Sequence, residues 1–267
     1  MSIQCETLKQ PYATTESIVR RSFLGVPFDR VDQDKVVEML RGNPENSKFR
    51  YIVTPNVDHV VRVKGNKPLL AYYDSAWLSV CDSVPISILA RMCGLKLPLV
   101  TGSDLTSRVV KSVIQPGDSI TLVASDHDLV RDMRRAYPDV RFDSIVPPHG
   151  VLAQPELLQE CVEFVASRKA RFVFLAIGSP QSEKIAHVLS QDSRATGVAL
   201  CIGASLEFLL QNKKRAPLWM RRVGLEWLHR LVLEPNRLWR RYVYAVVPLM
   251  KLFVQEFALG RGRRADL

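Results

Sequence analysis

Paired cysteines are missing from this chain. Its five cysteines, Cys5, Cys81, Cys93, Cys161 and Cys201, are odd in number and far apart, and no CxxC pair occurs. That argues against a disulfide framework and against the usual zinc-site spacings, and it makes a reducing cytoplasm the expected compartment. Long apolar runs are missing too. Uncharged stretches such as Ala195–Leu206 fall well short of the ~18–20 residues that a spanning helix needs. Residues 1–20 are polar and lack the apolar stretch of a secretory signal, so they are expected to form a loose leader before a protein that is soluble or only peripherally bound to a membrane. There is no internal repeat, no low-complexity tract, no Walker loop, no GxGxxG fingerprint and no nucleophile-elbow spacing.

What is present is globular. With 267 residues, 47% hydrophobic and 24% charged, the chain can bury a full core in one large domain or two small ones. Its net charge of +10 is unevenly placed: residues 213–267 hold 13 Lys and Arg against 4 Asp and Glu, leaving 24 against 23 in residues 1–212. A nearly neutral body with a basic end implies an anionic partner, whether phospholipid, nucleic acid or a diphosphate.

The patterning of residues 21–212 alternates between strand and helix. A short strand and turn are expected at Phe23–Phe28, with further strands at Tyr51–Thr54, Trp77–Cys81, Ser119–Ala124, Val140–Val146, Arg171–Ile177 and Val198–Ile202. Helices are expected over Asp29–Leu40, after Asn56, over Ile86–Met92, Asp128–Tyr137 and Pro155–Ser167, and after Pro180 and Gly203. Such alternation predicts an α/β, Rossmann-like fold with a mainly parallel sheet covered by helices on both faces.

In that architecture ligands bind beyond the carboxyl ends of the strands. Four strand ends carry small or polar residues: Thr54-Pro55-Asn56, Cys81-Asp82-Ser83, Gly178-Ser179-Pro180 and Gly203-Ala204-Ser205. Each alone reads equally as a turn or helix cap; four at one edge suggest a site. Gly178-Ser179-Pro180 and Gly203-Ala204-Ser205 open helices whose free N–H groups suit a phosphate, with Ser179 as a cap and Pro180 at the first helical position. Asp82 is an acid at a strand end, either a general base or a cap for the helix at Ile86. Asp126-His127-Asp128 is a DxD at a strand end, a candidate metal and diphosphate site or simply surface acids near a turn.

The C-terminal segment, 213–267, reads as a basic helical appendage. Pro217 opens a helix with Met220, Val223, Trp227 and Leu231 on one side, and with Arg222, Glu226 and Arg230 four apart. Beyond Glu234-Pro235 a second helix places Leu238, Tyr242, Ala245 and Leu249 on one side and Arg237, Arg240, Arg241, Tyr244 and Lys251 on the other. This mixture suits a membrane interface, though an amphipathic pair packed on the body has the same pattern. No helix-turn-helix, zinc or RNA-binding motif points to nucleic acid.

From Phe23 to Tyr242 the chain resembles the WecG/TagA/CpsF glycosyltransferases. The resemblance rests on Leu24-Gly25-Val26-Pro27-Phe28-Asp29, Thr54-Pro55-Asn56, Asp82, Thr101-Gly102-Ser103-Asp104-Leu105, Gly178-Ser179-Pro180 with Glu183, and Gly203-Ala204-Ser205. Above all it rests on Arg215-Ala216-Pro217 followed by Gly224-Leu225-Glu226-Trp227-Leu228, Arg230-Leu231, Glu234-Pro235, Arg237-Leu238 and Arg240-Arg241-Tyr242. The resemblance implies an inverting transfer, without metal or cofactor, from a UDP-sugar to a polyprenyl-diphosphate-linked saccharide in cell-surface or exopolysaccharide assembly. It implies Asp82 as general base, with donor contacts among Thr54, Asn56, Gly102, Gly178, Ser179, Ser182, Glu183, Gly203 and Ser205. It also implies that Arg215, Arg222, Arg230, Arg237, Arg240 and Arg241 contact the diphosphate or an anionic membrane at the inner face of the cell membrane. Leu99, Ser182 and the Ser125–Asp128 loop depart from the family's usual residues and bear on donor choice. A membrane-associated scaffold with weakened catalysis is the alternative reading, and a homo-oligomer is left open.

Overall fold

The computed structural model describes residues 18–44, 46–210, 217, 220, 232 and 235–258. The chain begins with a β-hairpin, β1 (Arg20–Phe23) and β2 (Val26–Asp29), paired antiparallel. Its two-residue turn has positive φ at both Leu24 and Gly25, the geometry that matches the twist of the flanking strands. Asp29 therefore still belongs to a strand, and α1 (Gln33–Arg41) starts later than expected, capped by Asp32, whose side chain accepts from the Lys35 N–H. The end of the expected leader also joins the body, since β1 begins at Arg20 and Ile18 packs on the core.

Six strands form a parallel sheet: β3 (Arg50–Val53), β4 (Leu78–Ser79), β5 (Ser119–Ala124), β6 (Arg141–Ile145), β7 (Phe172–Ala176) and β8 (Val198–Cys201), in the order β4-β3-β8-β7-β5-β6. Strand residues alternate between the two faces, as a pleat requires. Tyr51, Val53, Val123, Val173, Leu175 and Ala199 enter one core; Ile52, Ile120, Leu122, Phe172, Phe174 and Leu200 enter the other. The first core is closed by α2 (Val57–Val63), α3 (Lys67–Asp74), α4 (Val84–Met92), α7 (Pro155–Arg168) and α8 (Gln181–Gln191). The second is closed by α1, α5 (Gly102–Ser112), α6 (His127–Ala136) and α9 (Ser205–Leu209). The Rossmann-like arrangement with helices on both faces is thus the observed one. Helices α3 and α5 are additions to the sequence reading.

The strand expected over Trp77–Cys81 shrinks to two residues because β4 is the edge of the sheet. One side pairs with β3; the other has no strand among the described residues, and the Ser79 N–H donates instead to Asp29 Oδ2 at 2.7 Å. Arg20 clamps the same carboxylate through Nε at 2.8 Å and Nη2 at 2.7 Å, and it also donates to the Ala76 and Trp77 carbonyls. The hairpin thereby satisfies backbone groups that a bare edge would leave open.

The last helix, α10 (Pro235–Ala258), rests on α2. Ala245, Leu249, Leu252 and Phe253 are buried, and the last three join the first core. On its other side Val247, Met250, Val254 and Phe257 are exposed at helical spacing, with Tyr244 and Lys251. No helix among the described residues is long and apolar enough to cross a membrane. Cys81, Cys93, Cys161 and Cys201 are all buried free thiols.

Candidate active site

The helices leaving the neighbouring strands β3 and β8 go to opposite faces of the sheet, α2 to one and α9 to the other. A crevice opens between such strand ends. Thr54 stands on one side and donates toward the Cys201 carbonyl at 3.5 Å; Ser205 stands on the other and donates to the Ile202 carbonyl at 2.6 Å.

Asp82 enters from the neighbouring strand end. Its N–H donates to the Pro55 carbonyl at 3.1 Å, which ties the segment after β4 to the one after β3. Ser83, not Asp82, caps α4 by accepting from the Ile86 N–H at 3.3 Å. Gly102, the first residue of α5, closes the cluster from the second face. A Cβ placed there would lie 3.2 Å from Thr54 Oγ1, 3.2 Å from Ser205 Oγ and 3.7 Å from Asp82 Oδ2. Three polar side chains from three strand ends therefore converge on one glycine.

Gly178 and Gly203 extend this cluster. Both have positive φ, 81° and 49°, a conformation that side chains with a Cβ rarely adopt. A Cβ on Gly203 would lie 3.8 Å from Gly178 Cα, so the two turns are in contact. Leu99 lies beside the site: it bridges Cys81, the residue before Asp82, and is 40% exposed.

Other sequence-derived candidates are placed differently. Asn56 sits at the expected strand end, but its side-chain oxygen caps α2 by accepting from the Asp58 and His59 N–H groups. Ser179 does not cap α8; Pro180 holds the cap position, and the Ser179 hydroxyl is buried. Ser182 is 1% exposed and donates to the Leu175 carbonyl at 3.1 Å, so its hydroxyl is engaged by β7 rather than by the crevice. Glu183 is buried as well, at 2% exposure. Arg237, Arg240 and Arg241 lie in the opening turns of α10, whereas Arg215, Arg222 and Arg230 lie outside the described residues. The acids of the DxD are engaged locally. Asp126 caps α6, accepting from the Leu129 N–H, and Asp128 pairs with Arg131 at 2.7 Å. Among the described residues no group of three or more His, Cys, Asp or Glu gathers to hold a metal.

The sequence reading missed Arg62, which donates to the Ser179 carbonyl at 2.9 Å and pairs with Asp58 at 2.5 Å. The signal was the four-residue spacing from Asp58, which puts both on one side of α2.

A family model described as "Glycosyl transferase WecG/TagA/CpsF family" matches residues 21–263. The chain belongs to this family. Among curated proteins the chain is similar to the N-acetylglucosaminyldiphosphoundecaprenol N-acetyl-beta-D-mannosaminyltransferase of Staphylococcus aureus (strain NCTC 8325 / PS 47). The two are 24% identical over 226 residues, covering 81% of this chain and 86% of the relative.

Desolvation raises the Glu183 carboxyl from 4.5 to about 7, only partly opposed by its own backbone N–H, Ser179 and Arg62. As pH rises from 4.5 to 7, the unfolded chain releases this proton while the folded chain still holds it. Stability therefore falls through that window, by about 3 kcal/mol at its upper end. We expect Glu183→Gln to remove that slope, so that its melting temperature gains on wild type by roughly 6–12 °C between pH 4 and pH 8. Parallel melting curves across this range would show that the carboxyl does not titrate in this way.

Proposed function

We propose that this family member is an inverting glycosyltransferase. It moves one hexose or N-acetylhexosamine-type sugar from a UDP-sugar to a polyprenyl-diphosphate-linked saccharide, at the inner face of the cell membrane. The observation that carries this reading is the convergence of Thr54, Asp82 and Ser205 on Gly102 at the carboxyl ends of parallel strands. The acceptor named in the staphylococcal relative, a lipid-diphosphate-linked N-acetylglucosamine, supports the acceptor class. The β linkage in that name is what inversion yields from an α-linked nucleotide sugar.

In this mechanism the acceptor hydroxyl attacks the anomeric carbon from the side opposite the nucleotide, and the bond to the diphosphate breaks in the same displacement. Asp82 takes the hydroxyl proton. Thr54, Gly102 and Ser205 form the wall that sets the distance between the two substrates. The diphosphate gathers negative charge as it leaves. The N-terminus of α8 beside Gly178 and the arginines of the C-terminal segment supply the opposing charge.

The test is turnover of a panel of UDP-sugars with a lipid-diphosphate-linked N-acetylglucosamine in detergent or vesicles. Release of UDP that depends on the acceptor supports the reading; vesicle binding without turnover under any donor supports a scaffold instead. With Asp126 and Asp128 engaged in capping and pairing, transfer is expected to persist in EDTA. Loss of activity that Mn²⁺ or Mg²⁺ restores would overturn that expectation.

Membrane contact is assigned to the exposed side of α10. Val247, Met250, Val254 and Phe257 present apolar surface at helical spacing, near the basic stretch that precedes it in sequence. Anionic lipid attracts the arginines, and apolar insertion adds to the hold. Replacing Val254 and Phe257 together with Asp should weaken sedimentation with anionic vesicles at least about tenfold, while turnover of a short, soluble acceptor analogue stays near wild type. Unchanged vesicle binding would place the contact elsewhere.

A further inference from the structure

The mechanism above gives no part to Glu183, yet this buried carboxyl stands in the first turn of α8, immediately after Gly178–Pro180. Its Oε2 and the Ser179 Oγ are both buried without a hydrogen-bond partner. Groups from four elements face it: Arg62 from α2, Tyr73 from α3, Tyr51 from β3 and Cys201 from β8. Ser179 influences both the Glu183 carboxyl and the Tyr73 hydroxyl, without the alignment of a full hydrogen bond. From the other side Arg62 grips the same turn at the Ser179 carbonyl, 2.9 Å away. The turn in turn touches Gly203, two residues before Ser205.

We propose that Glu183 is a positioning residue for this turn: a small rotation joins its buried Oε2 and the Ser179 Oγ, each otherwise unpartnered, in a hydrogen bond that holds Gly178–Pro180 against α2, without Glu183 itself touching substrate. The physical reason is the inventory of donors. A neutral carboxyl offers one O–H, and the Ser179 oxygen can accept it while passing its own proton onward. An ionised carboxylate can only accept. It would place a charge among Tyr51, Tyr73 and Cys201 and would draw Arg62 away from the Ser179 carbonyl. Burial favours the neutral form, with the change to the charged form falling at about pH 7. The turn is therefore held at pH 6 and loosened at pH 8. Its effect on the nucleotide rests on the function proposed above.

The decisive experiment is amide hydrogen exchange of the full chain at pH 6 and pH 8, corrected for intrinsic exchange rates and read on peptides covering residues 177–184. UDP affinity is measured by calorimetry on the same samples. A group titrating at 7 leaves the neutral form about ten times less populated at pH 8 than at pH 6. Wild-type protection of these peptides should fall by up to that factor, while Glu183→Gln keeps its protection at both pH values. The ratio of wild-type to Gln affinity for UDP, in which the ionisation of UDP itself cancels, should shift about tenfold the same way. A purely structural role would lower protection alike in core peptides remote from the turn, such as those of β5 and β7, and would leave the UDP ratio constant. Equal pH dependence of protection in the two proteins overturns the proposal. If protection behaves as expected but UDP binds at neither pH, the donor assignment fails and the positioning role stands. Should Glu183→Gln not fold, Ser179→Ala replaces it: low protection of the turn at both pH values supports the proposal, and wild-type protection with its pH dependence overturns it.

Discussion

Asp82→Asn is expected to leave the melting temperature within a few degrees of wild type and to depress turnover by about 10²–10⁴, the usual loss when a positioned base is removed. A sugar hydroxyl is a weak nucleophile until its proton has somewhere to go, and Asn cannot accept that proton. Position singles out Asp82. Ser83 caps α4, so capping does not account for the acid, and Oδ2 lies 3.7 Å from where a Gly102 Cβ would be. Asp58 is paired with Arg62 on α2, and Glu183 is enclosed in the core. The drop should appear in kcat with UDP affinity retained, because the base acts on the acceptor. Near-normal kcat in the Asn variant would remove Asp82 from the mechanism.

Gly102→Val should cost about 10²-fold in turnover by a different route. The first carbon of the new side chain would already press on Thr54 Oγ1 and Ser205 Oγ at 3.2 Å each, and two further methyl groups must find room near Asp82. A displacement of about 1 Å among reacting groups is enough for a loss of this size. The position opens a helix rather than lying within it, so helix propensity contributes little and the fold should persist. Gly102→Ala calibrates the effect: its single Cβ demands a shift of only a few tenths of an ångström and should lose much less activity. Equal turnover in the Val variant and wild type would mean that the substrates do not meet at this cluster.

Much of the site was legible along the chain. Thr54, Asp82, Gly178 and Gly203 each follow a short apolar run, and an apolar run that ends in a small or polar residue marks a strand end wherever it occurs. Of the two readings of the DxD, surface acids near a turn fits the structure for a physical reason: an Asp before a helix is most useful to that helix, and Asp126 caps α6. The family resemblance implies Ser182 and Glu183 as donor contacts. The helical pitch of α8 instead turns them inward, where Ser182 bonds to the Leu175 carbonyl. The C-terminal helix was read as apolar on one side and basic on the other. The exposed Val247, Met250, Val254 and Phe257 add apolar residues to that second side, beside Lys251.

The amino-acid sequence by itself determined the alternation of strand and helix, the polar strand ends and the basic C-terminal segment, because periodicity, turn residues and charge are local properties. Tertiary structure alone decided which strand ends meet. Thr54 faces Cys201 across 147 positions of sequence, since strand order is set by how two hydrophobic faces bury their helices and not by any short-range signal. The same holds for the clamp of Arg20 and Asp29 on the edge strand, for Gly102 as the point of convergence, and for Glu183. A glutamate in a sequence has an ordinary carboxyl; only packing against α2, α3 and the sheet removes the water that would keep it ionised at neutral pH.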